Sequence, residues 1–400
     1  MVPGHFTCME PQDSTENEKK GKKEVRRLNV GIIGCGGIAQ NHVFSMSLLE
    51  NNARKIWKWK EAPFKFKPKL YALADIDPKQ VENLSTHFPV KKIYKGSTAG
   101  YDLIADPEVH AIFVLVPTSD HLDYVLKAAE AGKHVFCEKP LAFTPEDVDK
   151  MIAAREEYGV VIQAGLVMRS APQINYLKQF FEEKREKWGQ LTNIIFRDTQ
   201  EKPYKGAEEV HNSTWRKDKD KAHAGILFEH TIHDMDGMIF TLGEIESVYA
   251  KIKFVAGIED IEDSVAAIIS FKNGVSLTIN SMWNDIDYSQ RRYEFFFENA
   301  YLTIIVDERD KKAVDIRYKY LKEEEKILDD GGMDQMFREG IGMPHINAEV
   351  PGPYYYEDLR FLDAIAREKP AEVTLEFGRY VQKVIEACYT SSKEGRVIHL

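Results

Sequence analysis

Two short stretches carry side chains suited to proton traffic. Lys139 stands between an apolar run, His134-Val135-Phe136-Cys137, and a proline, in Glu138-Lys139-Pro140. A lysine placed where a strand ends and a proline redirects the chain is held in a cleft rather than left in solvent. Partial desolvation there lowers its pKa and lets it trade a proton with an alcohol. The second stretch is Ile226 to Asp236, ILFEHTIHDMD. Read as a helix, it puts Glu229 and His233 at i, i+4 and His233 and Asp236 at i, i+3, each pair on one face. A carboxylate beside an imidazole is an acid/base pair in need of a substrate hydroxyl. A charge-paired structural helix is the plainer reading of the same residues. A metal site built from Glu229, His230, His233 and Asp234 is the weaker one, because the stretch lacks HExxH and any Cys ligand.

Positioning these groups falls to the elements before and around them. Val30 to His42, VGIIGCGGIAQNH, reads as a strand, a tight turn and a helix N-terminus. Gly34-Cys35-Gly36-Gly37-Ile38-Ala39 fits GxGxxG/A. The first Gly permits the turn, the second lets backbone approach a pyrophosphate, and the last small residue lets helix pack on strand. The helix N-terminus offers free N–H groups to that phosphate. After a helix over about Ala39 to Glu50, Leu70 to Ala74 reads as a second parallel strand ending at Asp75. A carboxylate there accepts from both ribose hydroxyls and repels a 2′-phosphate, which selects NAD and leaves NADP as the open second choice. The alternative for Asp75 is a plain turn or cap.

Ala111 to Val116 is a continuous apolar strand of the kind buried on both faces of a parallel sheet, and Pro117-Thr118-Ser119-Asp120-His121 follows it. Leu122 to Ala131 reads as a helix, His134 to Cys137 as a strand, Pro145 to Tyr158 as a helix and Val160 to Gly165 as one more strand. Ligands of doubly wound sheets lie beyond the carboxyl ends of the strands, so Glu138 and Lys139 fall beside the reactive end of the bound dinucleotide. From about Arg169 the character changes. A helix over Pro172 to Trp188 is followed by strand-like runs with turn signals between them, including Asn273-Gly274, and two closing helices cover Tyr354 to Ala366 and Phe377 to Ser392.

The 400 residues suggest two domains after a polar tail at 1–27, which is read as disordered: 28–168 and 169–400. An apolar fraction of 43% with 30% charged residues is an ordinary globular mixture, and the net charge of -10 argues against a nucleic-acid or anionic-membrane binder. No apolar run reaches the roughly 18 to 20 residues of a membrane span. Four scattered cysteines without CxxC suit a reducing compartment, and the expected location is the cytoplasm. The segment from Asn51 to Lys69 interleaves Trp57, Trp59, Phe64 and Phe66 with lysines and Arg54; it is read as an excursion pinned by its own aromatics rather than as a nucleic-acid or partner surface.

GIIGCGGIAQNH, ADID, VLVPTSDH, AGKHVFCEKPLA, Arg169-Ser170-Ala171-Pro172, IHDMD and the closing SSKEGRVIHL, in this order, resemble the Gfo/Idh/MocA family of nicotinamide-dependent sugar and cyclitol dehydrogenases. The resemblance implies an α/β chain: an N-terminal Rossmann dinucleotide-binding domain and a C-terminal α/β domain with an open, mainly antiparallel sheet. That sheet serves oligomerisation in the family, which implies a homo-oligomer, dimer or tetramer. Position by position, Lys139 matches the lysine that binds the reacting hydroxyl, Glu138 the residue at the nicotinamide end, and His233 the active-site histidine. Pro117, Thr118 and His121 fall on the segment lining the cofactor, with Gly34, Gly36, Gly37, Ile38, Ala39 and Asp75. Arg169, His230 and Asp234 join Lys139 as candidate substrate contacts. Glu229 departs from the family's usual Asp, and His230-Thr231 replaces a Leu-Gly pair.

The expected activity is oxidation of a secondary hydroxyl of a sugar, cyclitol or sugar derivative, with NAD as acceptor and a small polyol or sugar as partner. Lys139 and His233 manage the hydroxyl proton and Glu229 orients His233. Two other readings stand beside it. One is an NAD-dependent glycoside-cleaving enzyme that oxidises transiently and eliminates the aglycone; the other is a non-catalytic cofactor-binding sensor.

Overall fold

The computed structural model describes residues 26–56, 66–204, 214–286, 288–307, 314–328 and 352–400. Most of the expected tail and residues 57–65 of the aromatic-basic excursion lie outside them.

Six parallel strands form the first sheet: β1 (Arg26–Ile33), β2 (Phe66–Asp75), β3 (Lys92–Lys95), β4 (Ala111–Val114), β5 (His134–Glu138) and β6 (Ile162–Gly165). Their order is β3-β2-β1-β4-β5-β6. The direction of winding reverses between β1 and β4, so the loops after these two strands diverge and leave a crevice at their carboxyl ends. Helices α1 (Gly37–Ile56), α2 (Pro78–His87), α3 (Ala99–Ile104), α4 (Thr118–Glu130) and α5 (Pro145–Tyr158) connect the strands. Every residue of β4 is buried, as a strand covered on both faces requires. Local chemistry sets the helix ends: Thr144 accepts from the Asp147 amide, Pro145 opens α5, and Gly159 stops it in the left-handed conformation. Two details depart from the sequence reading. Arg26 and Arg27 already belong to β1. The half-exposed β3, KIYK, is too short and too polar to stand out as a strand.

A second sheet has nine strands. They are β7 (Leu191–Glu201), β8 (Ile245–Lys253), β9 (Ser264–Phe271), β10 (Ser276–Asn284), β11 (Gln290–Phe297), β12 (Ala300–Asp307), β13 (Val314–Tyr320), β14 (Lys326–Leu328) and β15 (Ile398–His399). Their order is β14-β13-β12-β11-β7-β10-β9-β8-β15, with β7 and β10 parallel and the other pairs antiparallel. The β9–β10 hairpin turns through Gly274, whose φ of 88° suits glycine. Alternating burial along β9 marks a sheet with one covered face. The cover is α6 (Pro172–Trp188), α7 (Ile232–Leu242) and α9 (Leu375–Glu394), through Ile174, Leu177, Met235, Met238, Val381 and Ile385.

Helix α8 (Pro353–Ala366) leaves this second sheet and returns to the first. Tyr355, Leu359, Phe361 and Leu362 share a core with Leu28, Val30, Val43, Phe113 and Phe136. The first sheet's hydrophobic core is therefore completed by residues more than 180 positions beyond its last strand. A polar helix face would not do this; α8 is buried along most of its length.

Candidate functional site

At the end of β1 the backbone of Gly34 turns with φ 95°, and a Cβ there would collide with the main chain of Leu115. Only glycine fits. Gly36 is the opposite case: a Cβ at that position meets nothing within 4 Å, so the loop lies bare against open space. Across from it, the Asp75 carboxylate at the end of β2 is fixed by the Cys35 amide at 2.6 Å and the Asp77 amide at 2.7 Å. Burial raises its pKa, against the pull of those two amides. A cavity of about 740 Å³ begins here and runs to Lys139 and His233. Its volume, the bare glycine loop and the terminal carboxylate fit a dinucleotide laid across the switch point of the sheet. Gly34, Gly36, Gly37, Ile38, Asp75, Pro117, Thr118 and Glu138 all line it.

At the other end, Lys139 Nζ donates to the Glu229 carbonyl at 2.6 Å. Burial lowers the lysine's pKa, reinforced by Arg216 and Arg291 and opposed by Glu229 and Glu138. His233 lines the same cavity, and its buried Nδ1 has no hydrogen-bond partner among the described residues. Burial, then Lys139, Arg291 and His230, hold its pKa well below the usual value, so the ring is neutral. A neutral imidazole beside an ammonium can bind a hydroxyl and take its proton.

Several expected contacts are placed differently. Leu227–Thr231 is a π-helical turn, whose i→i+5 bonding shifts the phase of the helix, so Glu229 and His233 do not form the i, i+4 pair. The Glu229 carboxylate is buried behind the cleft, accepting from Thr118 Oγ1 at 3.3 Å and Arg216 Nε at 3.2 Å. It therefore fixes Arg216 rather than orienting His233. Arg169 is committed to a buried bidentate pair with Asp236 and lines a separate cavity with Phe240 and Phe377, not the cleft. Asp236 is thus also taken from the expected pairing with His233. Asp234 is buried under the cleft floor, accepting from Tyr293 and facing Arg291 at 3.4 Å; burial pushes it up to about 6. His121 lies behind the strand ends, 2.7 Å from the Pro140 carbonyl and 2.8 Å from that of Val116. Ala39 is sealed in the helix–strand contact.

His230 does face the cavity, and its Nε2 accepts from Arg291 at 2.6 Å while Asp198 stands 3.2 Å away. Burial pushes the Asp198 carboxyl up, but His230, Arg291 and Gln200 outweigh it and hold the group below its usual range. Trp215, Arg216, Arg291 and Tyr354 also line the cavity and were not singled out in the sequence. No periodicity marks them, and Arg291 reaches the site only because β11 pairs with β7. Among the described residues, no three His, Cys, Asp or Glu side chains gather as a metal site.

A dinucleotide crevice that ends in a half-buried lysine and a neutral histidine defines an NAD-dependent oxidoreductase. Residues 28–166 match an oxidoreductase family with an NAD-binding Rossmann fold, and residues 183–303 match the GFO/IDH/MocA C-terminal domain. The chain belongs to the Gfo/Idh/MocA family. Among curated relatives it is 28% identical to an uncharacterized oxidoreductase, YrbE, of Bacillus subtilis over 68% of this chain and 72% of that protein. It is 27% identical to a myo-inositol 2-dehydrogenase of Thermotoga maritima over 74% of this chain and 83% of the relative. A solved levoglucosan dehydrogenase, in complex with NADH and levoglucosan, shares the fold with a TM-score of 0.76 at 21% identity, covering 94% of this chain and 99% of the other.

Proposed function

We propose that the protein oxidises a secondary hydroxyl of a sugar, cyclitol or sugar derivative, using NAD. The observation that carries this reading is the pairing of Lys139 and the neutral His233 at the end of the dinucleotide cavity. The named activities of the myo-inositol and levoglucosan relatives support the same substrate class.

NAD, when bound, supplies the two-electron redox chemistry. Lys139 commits one N–H to the Glu229 carbonyl and keeps its remaining donors for the substrate oxygen. His233 takes the hydroxyl proton, and its low basicity passes that proton readily to solvent. His230, held by Arg291, offers its ring to a second hydroxyl of the polyol. Asp75 holds the adenosine ribose and Glu138 contacts the reactive end.

Exposed Ile195, Ile268 and Met282 on the uncovered face of the second sheet support assembly into a homo-oligomer through that face. Free, buried Cys35, Cys137 and Cys388 suit a cytoplasmic location. No helix among the described residues is long and apolar enough to cross a membrane. The Glu229 carboxylate is committed to Thr118 and Arg216, so the Glu229-His230 pair lends no added support to redox-assisted glycoside cleavage.

The test is incubation of the purified protein with NAD and a panel of sugars, inositols and anhydrosugars, followed at the NADH absorbance. Substrate-dependent NADH formation supports the reading. Aglycone release from glycosides without net NADH would replace it with the elimination reaction.

A further inference from the structure

Beneath the cleft, three distant parts of the chain bring together a histidine and two carboxyl groups that enclose it. His42 on α1 is fully buried. Its Nε2 lies 3.2 Å from Glu138 Oε1, at the end of β5, and its Nδ1 lies 2.8 Å from Asp358 Oδ1, on α8. Both partners accept, so the ring satisfies both only with a proton on each nitrogen. Asp358 is fully buried and Glu138 nearly so, yet Glu138 lines the cavity beside Lys139 and its other oxygen accepts from the Lys139 amide at 2.9 Å. Phe113, Phe136 and Tyr354 pack their rings around the imidazole, at centroid distances of 5.3, 5.0 and 5.4 Å, and leave it little room to turn. The neighbouring Glu357 carboxyl is buried without a hydrogen-bond partner among the described residues, and burial raises its pKa, with Glu138 and Asp358 adding to the effect. The imidazole therefore sits between two carboxyl groups, of which only Glu138 reaches the cleft.

We propose that His42 and Asp358 are positioning residues: Asp358 fixes the imidazolium of His42, which in turn fixes the Glu138 carboxylate at the reactive end of the cofactor site. The inference rests on the reading that Glu138 contacts that end. Its consequence is that α8, which follows strands β7 to β14 of the second sheet in the chain, completes a site otherwise built from the first. Burying three ionisable groups is costly. A core ion cluster that merely anchored α8 would serve no better than well-packed apolar residues, and it would not need to end on a cleft-lining carboxylate.

A double-mutant cycle on the NAD-loaded enzyme tests this. His42→Gln and Glu138→Gln are each expected to lower kcat by about ten- to a hundredfold, as displaced reacting groups do, with little change in substrate KM. The double variant is expected to lose no more than the worse single one, because both act through the same carboxylate. Asp358→Asn, which keeps the shape of the side chain, should show a smaller loss in the same direction. Additive losses, or full kcat in a folded His42→Gln, would overturn the proposal and leave a stabilising role for the cluster. A second measurement needs no variant: ¹⁵N spectra of the histidines in the unmodified protein at pH 8 should show a ring protonated on both nitrogens whose signals move when NADH binds. A neutral His42, or signals that ignore NADH, would equally overturn it. NADH formation lost in every variant and in the wild type would instead count against the proposed activity, a separate failure.

Discussion

Lys139 Nζ donates to the main-chain carbonyl of Glu229 at 2.6 Å, so the lysine at the end of β5 is tied to the π-helical turn that carries His230 and leads into α7 with His233. The tie joins the two sheets at the point where the reaction is proposed. The contact uses the Glu229 backbone, which leaves the side chain to hold Arg216.

Replacement of Lys139 by Met should remove the substrate-oxygen contact while keeping most of the apolar stem. The expected loss in kcat is about 10²- to 10⁴-fold, the usual range for a positioned acid or base. NADH affinity, read by nucleotide fluorescence, should change little. In the wild type, the pH profile of kcat/KM should show a lysine limb displaced below the ordinary lysine value, because burial disfavours the charged form.

The two glycines of the loop should fail in different ways. Gly34→Ala forces a side chain onto a left-handed residue and into the Leu115 backbone, so it should lower stability by more than about 1 kcal/mol, seen as a reduced melting temperature. Gly36→Ala meets no protein atom, so the melting temperature should hold while NADH binding weakens.

Asp75 is expected to set cofactor choice. Its carboxylate would repel a 2′-phosphate, and Asp75→Asn should narrow the NADH-over-NADPH preference by about tenfold or more; a full charge opposed across a few ångströms in a partly buried site is worth at least this much. Parallel fluorescence titrations with the two nucleotides give the ratio directly.

The His42 cluster links stability to pH. Burial alone would lower the ring's pKa, but Asp358 and Glu138 outweigh it and push the group up to about 10 from an ordinary 6.5. A pKa raised on folding contributes stability that is complete below the unfolded value and lost as pH rises through the folded one. Thermal melts should therefore fall between about pH 6.5 and 10, and this part of the slope should vanish in His42→Gln.

The parts of the site that sequence made legible are those whose geometry is local. Gly34, Gly36 and Asp75 sit at strand ends, where a run of apolar residues followed by a break fixes their place, and Lys139 follows directly from the strand before it. The pairings that sequence misjudged depend on what is not local. The four-residue spacing of Glu229 and His233 pairs them only on an α-helix, and the π-helical turn defeats that spacing. Arg169 looked available because its partner, Asp236, lies 67 residues away. His42 stood inside the glycine motif with no visible role, since Asp358 meets it across 316 positions. Likewise Arg291 needs the β7–β11 register before it can face His230.

The most direct test of the central claim follows the hydrogen itself. Sugars and inositols carrying deuterium on their carbinol carbons are incubated with the protein and NAD, and the recovered cofactor is examined by NMR. The account predicts deuterium on the nicotinamide ring of the NADH formed with at least one member of the panel, and at least about a hundredfold slower labelling when Lys139→Met replaces the wild type. Unlabelled cofactor with every member, or label washed out into solvent, would contradict it.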